Sequence, residues 1–97
     1  MSERFRELRE ATAEAVLRGP GRSTPELRQA VARGEPPDDL CDLVQKIHLH
    51  AYKITDETLA ALRGRYSEDE LFEVIVAAAL GAADQRLRAG LRALKDA

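Results

Sequence analysis

The clearest periodic stretch of the chain runs from Ser67 to Leu94. Phe72, Val76, Ala79, Ala83, Leu87, Leu91 and Leu94 recur at steps of three and four, which is one stripe of an α-helix. Ser67 and Glu70 have the spacing of a capping box at its start, each side chain accepting from the backbone amide of the other. Between Val74 and Ala83 every residue is apolar or glycine, so the pattern predicts cover on several sides of the helix there. Many of these residues are small (Ala77, Ala78, Ala79, Gly81, Ala82, Ala83), which lets neighbouring backbones approach closely. At ~1.5 Å per residue the helix would be roughly 40 Å long, more than a domain of this size needs. Another subunit is the simplest cover for its length.

The remaining segments also read as helices. Glu3 to Leu17 forms one, with Phe5, Leu8, Thr12, Ala15 and Val16 on a shared face, and Gly19-Pro20-Gly21 ends it. Thr24 followed by Pro25 is an N-cap with a proline at the first helical position. The short helix that follows turns Leu27, Ala30 and Val31 inward and stops at Gly34. After the stiff Glu35-Pro36-Pro37 connector, Asp38 and Asp39 suit a helix start, where carboxylates meet the positive end of the helix dipole. Leu40, Leu43, Val44, Ile47, Ala51 and Ile54 make the buried stripe of that third helix. Thr55 caps a further short helix carrying Leu59 and Leu62 inward and stopping near Gly64. No segment alternates like a strand. The expectation is a single all-α domain over residues 1–97, a compact bundle of about five helices with a long C-terminal one.

Composition narrows the class. Ninety-seven residues with four aromatics and no Trp leave a core of Leu, Val, Ile and Ala, thin for a lone monomer. A net charge of −2 favours neither nucleic acid nor a strongly acidic partner. The lone Cys41 rules out an internal disulfide framework and a cysteine-based zinc site, and fits a reducing compartment. The start of the chain is charged and amphipathic rather than a signal peptide, and the longest apolar run, ten residues, is about half a membrane span. A cytoplasmic protein is expected, with no membrane and no cofactor. Asp56 to Arg63, the turn through Gly64 and Tyr66, and the helix from Ser67 outline a helix-turn-helix. Its second helix is least polar over Leu71 to Ala83, where bases would need polar contacts, so nucleic acid is not the expected partner.

The candidate chemistry lies between Ile47 and Glu57, where both histidines occur. His48 and His50, two apart, stand about 200° from each other on a helix and cannot share one metal from it. A two-histidine zinc helix uses a spacing of four, so no metal is expected. His50, Lys53 and Glu57 follow at spacings of three and seven and would align on a continuous helix; a cap at Thr55 would instead bring Glu57 from the next element. Brought together, an imidazole, an ammonium and a carboxylate can exchange protons or hold an anionic substrate. A solvated polar edge with an ordinary ion pair is the plainer alternative. Cys41, beside Leu40 and Leu43, reads as a small buried hydrophobe rather than a reactive thiol. Tyr52 and Tyr66 could place hydroxyls at the edge of the core, and Arg86, Arg88, Arg92 and Lys95 make the end of the long helix basic.

The run Thr55-Asp56-Glu57-Thr58-Leu59-Ala60-Ala61-Leu62, followed by Tyr66-Ser67-Glu68-Asp69-Glu70-Leu71-Phe72-Glu73-Val74 and Ala77-Ala78-Ala79, resembles the carboxymuconolactone decarboxylase family, which includes the alkylhydroperoxidase D-like proteins. The resemblance covers roughly residues 38–94, leaving residues 1–34 as N-terminal helices outside it. It implies an all-helical homo-oligomer, trimeric or hexameric, with sites near subunit contacts. Peroxidase members carry Cys-x-x-Cys-x-x-x-His before the long helix, with an upstream carboxylate as proton relay. Aligned without gaps from Phe72, the two cysteines fall on His50 and Lys53, the histidine on Glu57 and the relay near Asp38. Dithiol chemistry needs an attacking and a resolving thiol, so the resemblance does not extend to peroxidase activity. Cys41 and His48 reproduce the family's Cys-to-His interval, with Val44 between them, but in a register that needs a gap, and we read this as coincidence. What the resemblance leaves is proton-transfer chemistry on a small anionic organic acid. His50 would serve as acid or base, Lys53 as anion partner, and Glu57 or Asp38 as orienting carboxylate. A non-catalytic assembly module of the same fold is the alternative.

Overall fold

The computed structural model describes residues 3–49 and 53–96. Helix α1 spans Glu3–Arg18 and α2 Pro25–Ala32; a 3-10 turn, Asp38–Leu40, leads into α3, Cys41–Leu49. Helix α4 is the short Asp56–Ala60 and α5 the long Glu68–Asp96, with no strand among the described residues. The local signals act where the sequence puts them. Thr24, in extended conformation, accepts from the amide of Leu27 at 3.1 Å with Pro25 behind it, and Thr55 accepts from Thr58 at 3.3 Å. At α5, the amide of Glu70 donates to Ser67 Oγ at 3.1 Å and the amide of Ser67 to Glu70 Oε1 at 3.0 Å, closing the capping box. Helix α2 ends at Gly34, whose φ of 79° lies where a side chain would be strained. That turn lets the amide of Glu35 reach Ala30 O at 2.9 Å and the amide of Gly34 reach Val31 O at 3.1 Å, a Schellman ending.

The core is a thin layer between α5 and the chain that precedes it. Val31 of α2, then Leu40, Leu43, Val44 and Ile47, meet Leu62 and the α5 residues Leu71, Val74, Ala77 and Ala78. At 100° per residue, the buried positions Leu71, Val74, Ala78, Gly81 and Ala82 occupy the side of α5 opposite Phe72, Ala79, Ala83 and Gly90. The stripe most conspicuous in the sequence is therefore not the one this chain buries. Phe72 is 68% exposed and Leu94 75%, Ala79, Ala83 and Leu91 are exposed, and Val76 and Leu87 are half-buried. Helix α1 behaves similarly. Leu8, Thr12 and Ala15 face solvent, while Arg9, Ala13, Val16 and Leu17 lean on the body. The reason is geometric: α5 outruns the layer it rests on. The protein measures 46 × 28 × 19 Å and α5 runs about 43 Å at 1.5 Å per residue, nearly the whole long axis. The radius of gyration is 14.6 Å, against about 13 Å for a near-spherical chain of 100 residues.

Two contacts hold α2 and the loop before it to α5. The first is steric. A Cβ built on Gly81 would overlap the carbonyl oxygen of Ala32 and lie 2.8 Å from its carbonyl carbon. The end of α2 thus rests directly on the backbone of α5, and only glycine permits it. The second is polar. Glu73 reaches back 50 residues to accept from the amide of Arg22 at 2.9 Å, the amide of Ser23 at 2.8 Å and Ser23 Oγ at 2.5 Å. Across the same loop Arg28, only 3% exposed, donates to Val16 O in the last turn of α1 at 2.7 Å and to Gly19 O just past it at 2.5 Å, a cation at the negative end of the helix. The hydrogen bond from the Ser23 hydroxyl, then those from the two amides, hold the Glu73 carboxyl down at about 2, against its ordinary 4.5, while burial opposes them.

These contacts carry two tests. Gly81→Ala should destabilise the fold by about 1–3 kcal/mol through overpacking, lowering the melting temperature by roughly 5 °C or more. Gly64→Ala, with open space around it and no positive φ, should be neutral or stabilising by up to about 1 kcal/mol. Equal losses in thermal melts would show that Gly81 is not the close contact. For Glu73, a folded pKa below the unfolded one means a stability contribution present above pH 4.5 and lost as pH falls toward about 2. Glu73→Gln should cost on the order of 1–2 kcal/mol at neutral pH and flatten the acid limb in that window. A variant as acid-sensitive as the parent would assign that limb to other carboxylates.

Candidate functional site

His50, the central member of the expected catalytic group, lies outside the described residues, as does Tyr52. The other three members are placed on separate pieces of backbone. Asp38 opens the 3-10 turn, Lys53 precedes the extended Ile54-Thr55 link, and Glu57 sits in the first turn of α4. Thr55, with φ −122° and ψ 168°, starts α4 as a new helix, so Glu57 is not on a continuation of α3. Asp38, Lys53 and Glu57 are all exposed. Among the described residues, no side-chain hydrogen bond or ion pair joins any two of them.

Their neighbours are the engaged groups. Asp39 rather than Asp38 takes a partner: Tyr66 Oη lies 2.9 Å from both of its oxygens, and Arg65 Nη1 lies 3.6 Å away. Burial, and then the hydrogen bond and charge of Asp39, push the Tyr66 phenol above its ordinary pKa, so it stays a donor and ties the approach to α5 to the turn before α3. Lys46 rather than Lys53 makes the ion pair, 3.0 Å to Asp42, with Thr58 Oγ1 3.4 Å away. Asp39 and Tyr66 are 27 residues apart, and no local pattern announces such a pair.

A cleft of about 490 Å³ runs beside α3, lined by Cys41, Val44, Gln45 and His48 together with Pro36 and Gln85. Cys41 is exposed there rather than buried. The 3-10 turn ahead of it rotates Leu40, Leu43, Val44 and Ile47 to the core and leaves the thiol on the outer side. His48 Nε2 is buried without a hydrogen-bond partner, and its carbonyl accepts from Arg86 Nη2 at 2.8 Å. Two helical turns separate Cys41 from His48, roughly 10 Å along the axis. The imidazole therefore does not reach the thiol as a base reaches its nucleophile. Among the described residues, no group of three or more His, Cys, Asp and Glu is placed to hold a metal ion. Asp38, Lys53 and Glu57 do not line this cleft.

The largest unpartnered feature is the outer face of α5. From Phe72 to Leu94 it runs about 33 Å and carries Ala79, Ala83, Leu91 and Leu94 on its exposed surface. The two ends of α5, though not of this face alone, are oppositely charged. Glu68, Asp69 and Glu70 make up the first turn, and Arg92 and Lys95 lie near the last. Among the described residues, Glu68, Arg92 and Lys95 pair with nothing. No helix among them is long and apolar enough to cross a membrane. No family model matches the chain, and no curated protein or solved structure matches it either.

Proposed function

We propose that this chain is an assembly module of carboxymuconolactone decarboxylase-like type, without the family's dithiol chemistry, that associates with copies of itself through the outer face of α5. The observation that carries the reading is the second apolar stripe of α5, left exposed by its own chain at Phe72, Ala79, Ala83, Leu91 and Leu94. Exposed apolar residues aligned along one helix face over this length mark an interaction site rather than scattered surface residues. A second copy fits it better than an unlike partner for two reasons. The stripe is lined by small residues, Ala79, Ala83 and Gly90, which allow two such helices to approach within about 8–10 Å. In an antiparallel pair, the acidic first turn of each α5 comes near the end of the other that carries Arg92 and Lys95, an attraction between helix ends that two-fold symmetry applies twice. The lone Cys41 is one thiol short of the family's peroxidase chemistry. Proton transfer by His50, Lys53, Glu57 and Asp38 draws no support from its three described members, which stand in solvent without mutual bonds.

An antiparallel two-fold contact yields dimers or higher even-numbered assemblies. Light scattering coupled to gel filtration should therefore return an even multiple of the chain mass. Phe72→Glu combined with Leu94→Glu should shift the protein to monomer while leaving its helical circular dichroism intact. A wild-type monomer at tens of micromolar, or an assembly indifferent to both substitutions, would remove the outer face of α5 as the contact.

A further inference from the structure

A second cleft, about 720 Å³ in volume, lies where α1 passes α2 and the middle of α5. Its size falls within the roughly 300–1,000 Å³ of small-molecule sites. Its walls are largely apolar, Ala13 and Leu17 of α1 facing Leu80, Ala83 and Leu87 of α5. Four arginines reach it, and three are answered by carboxylates. Arg18 lies 3.7 Å from Glu14, Arg33 3.5 Å from Glu35 and Arg88 2.8 Å from Asp84. Arg9 has no acidic partner among the described residues, and its Nη1 is buried without a hydrogen bond. Taking a charged donor out of water with nothing to donate to is among the costlier arrangements a fold can hold. Arg9 itself is half-buried and lines the apolar cleft as its one arginine without an acidic partner among the described residues. An incoming anion would pair with the part of its guanidinium that solvent reaches.

The charges around the cleft limit what that anion can be. Glu10, Glu35 and Asp84 also line it; the last two are neutralised by Arg33 and Arg88, while Glu10 pairs with nothing among the described residues. A dianion would find one uncompensated cation and one opposing carboxylate, whereas a single negative charge can sit on the fork of Arg9 away from Glu10. The apolar walls call for an aliphatic body. The geometry points to a binding site for an aliphatic monocarboxylic acid, its carboxylate on Arg9 and its chain between Leu17 and Leu80. The residues of the site all come from one chain, and Ala83 of its α5 wall also lies on the face assigned to the second copy.

Isothermal titration of octanoate into the purified full chain tests this directly. One octanoate should bind per chain. Octan-1-ol, with the same tail and no charge, and inorganic phosphate, with charge and no tail, should each bind more weakly. Arg9→Gln should weaken octanoate binding about tenfold to a hundredfold. It should melt no lower than the parent without ligand, because it removes a cation that has no acidic partner among the described residues and one buried donor without a hydrogen bond. Should Arg9→Gln not fold, Arg9→Met, which keeps the packed stem, takes its place in the same titration. The doubly substituted Phe72→Glu, Leu94→Glu protein should bind octanoate as the parent does, which separates failure of this site from failure of the assembly contact. Absence of octanoate binding to the parent, equal binding to an Arg9 variant, or phosphate binding as tightly as octanoate would each overturn the assignment.

Discussion

The fold depends on how closely α2 comes to α5. Gly81 lets the end of α2 rest on the α5 backbone, and that approach places Val31 against Val74 and Ala78 in the core. The N-terminal helices are held to α5 through this contact together with the core packing of Val31 and the loop bonds to Glu73. The Glu73 carboxylate secures the loop ahead of α2, and Arg28 secures the end of α1 through its carbonyls. The two charges act on opposite sides of one loop, and each is satisfied mainly by backbone groups rather than by the other. This keeps a buried guanidinium tolerable. Its hydrogen bonds go to carbonyls that would otherwise end a helix unpaired.

Fixing one face of α5 in this way leaves the opposite face free. A 29-residue helix has far more surface than five short elements can cover, and the small residues that permit the α2 contact recur on the far side as Ala79 and Ala83. The chain uses one face of α5 to build its own core and leaves an equally apolar one outside. That division is what ties a thin monomeric core to the assembly reading: a small domain buries a modest share of its surface alone, and a second copy adds to it.

Chemistry is distributed differently from stability. The groups that the fold engages firmly, Glu73, Arg28, Tyr66 and Asp39, join separate elements and find hydrogen-bond partners within the chain, although Arg28 Nε is left without one. Such groups hold structure. Among the described residues three buried polar atoms are left unanswered: Arg28 Nε and, on two residues that line clefts, Arg9 Nη1 and His48 Nε2. These two positions, rather than the most polar stretch of the sequence, are where the fold leaves binding capacity unused. The sequence gives no hint of Arg9, one of several arginines on α1, because its isolation depends on which carboxylates α2 and α5 bring near.

Local signals in the sequence determined the helices and their ends. Thr24-Pro25, Thr55, the Ser67–Glu70 box and Gly34 act within a few residues, through hydrogen bonds whose partners are near in the chain, so they are legible before folding. The inward residues of α2 and α3, Val31, Leu43, Val44 and Ile47, were legible for the same reason: each of those helices has a single apolar face. Helix α5 has two apolar faces and α1 a weak one, and there periodicity could show that a face exists but not what covers it. Only the tertiary structure decided that Leu71, Val74 and Ala78 go inward while Phe72 and Leu94 stay out, that Cys41 is exposed, and that Asp38, Lys53 and Glu57 stand on separate segments. Each of those outcomes is set by contacts between residues tens of positions apart, above all the fit of Gly81 against Ala32, and spacing along a chain carries no information about them.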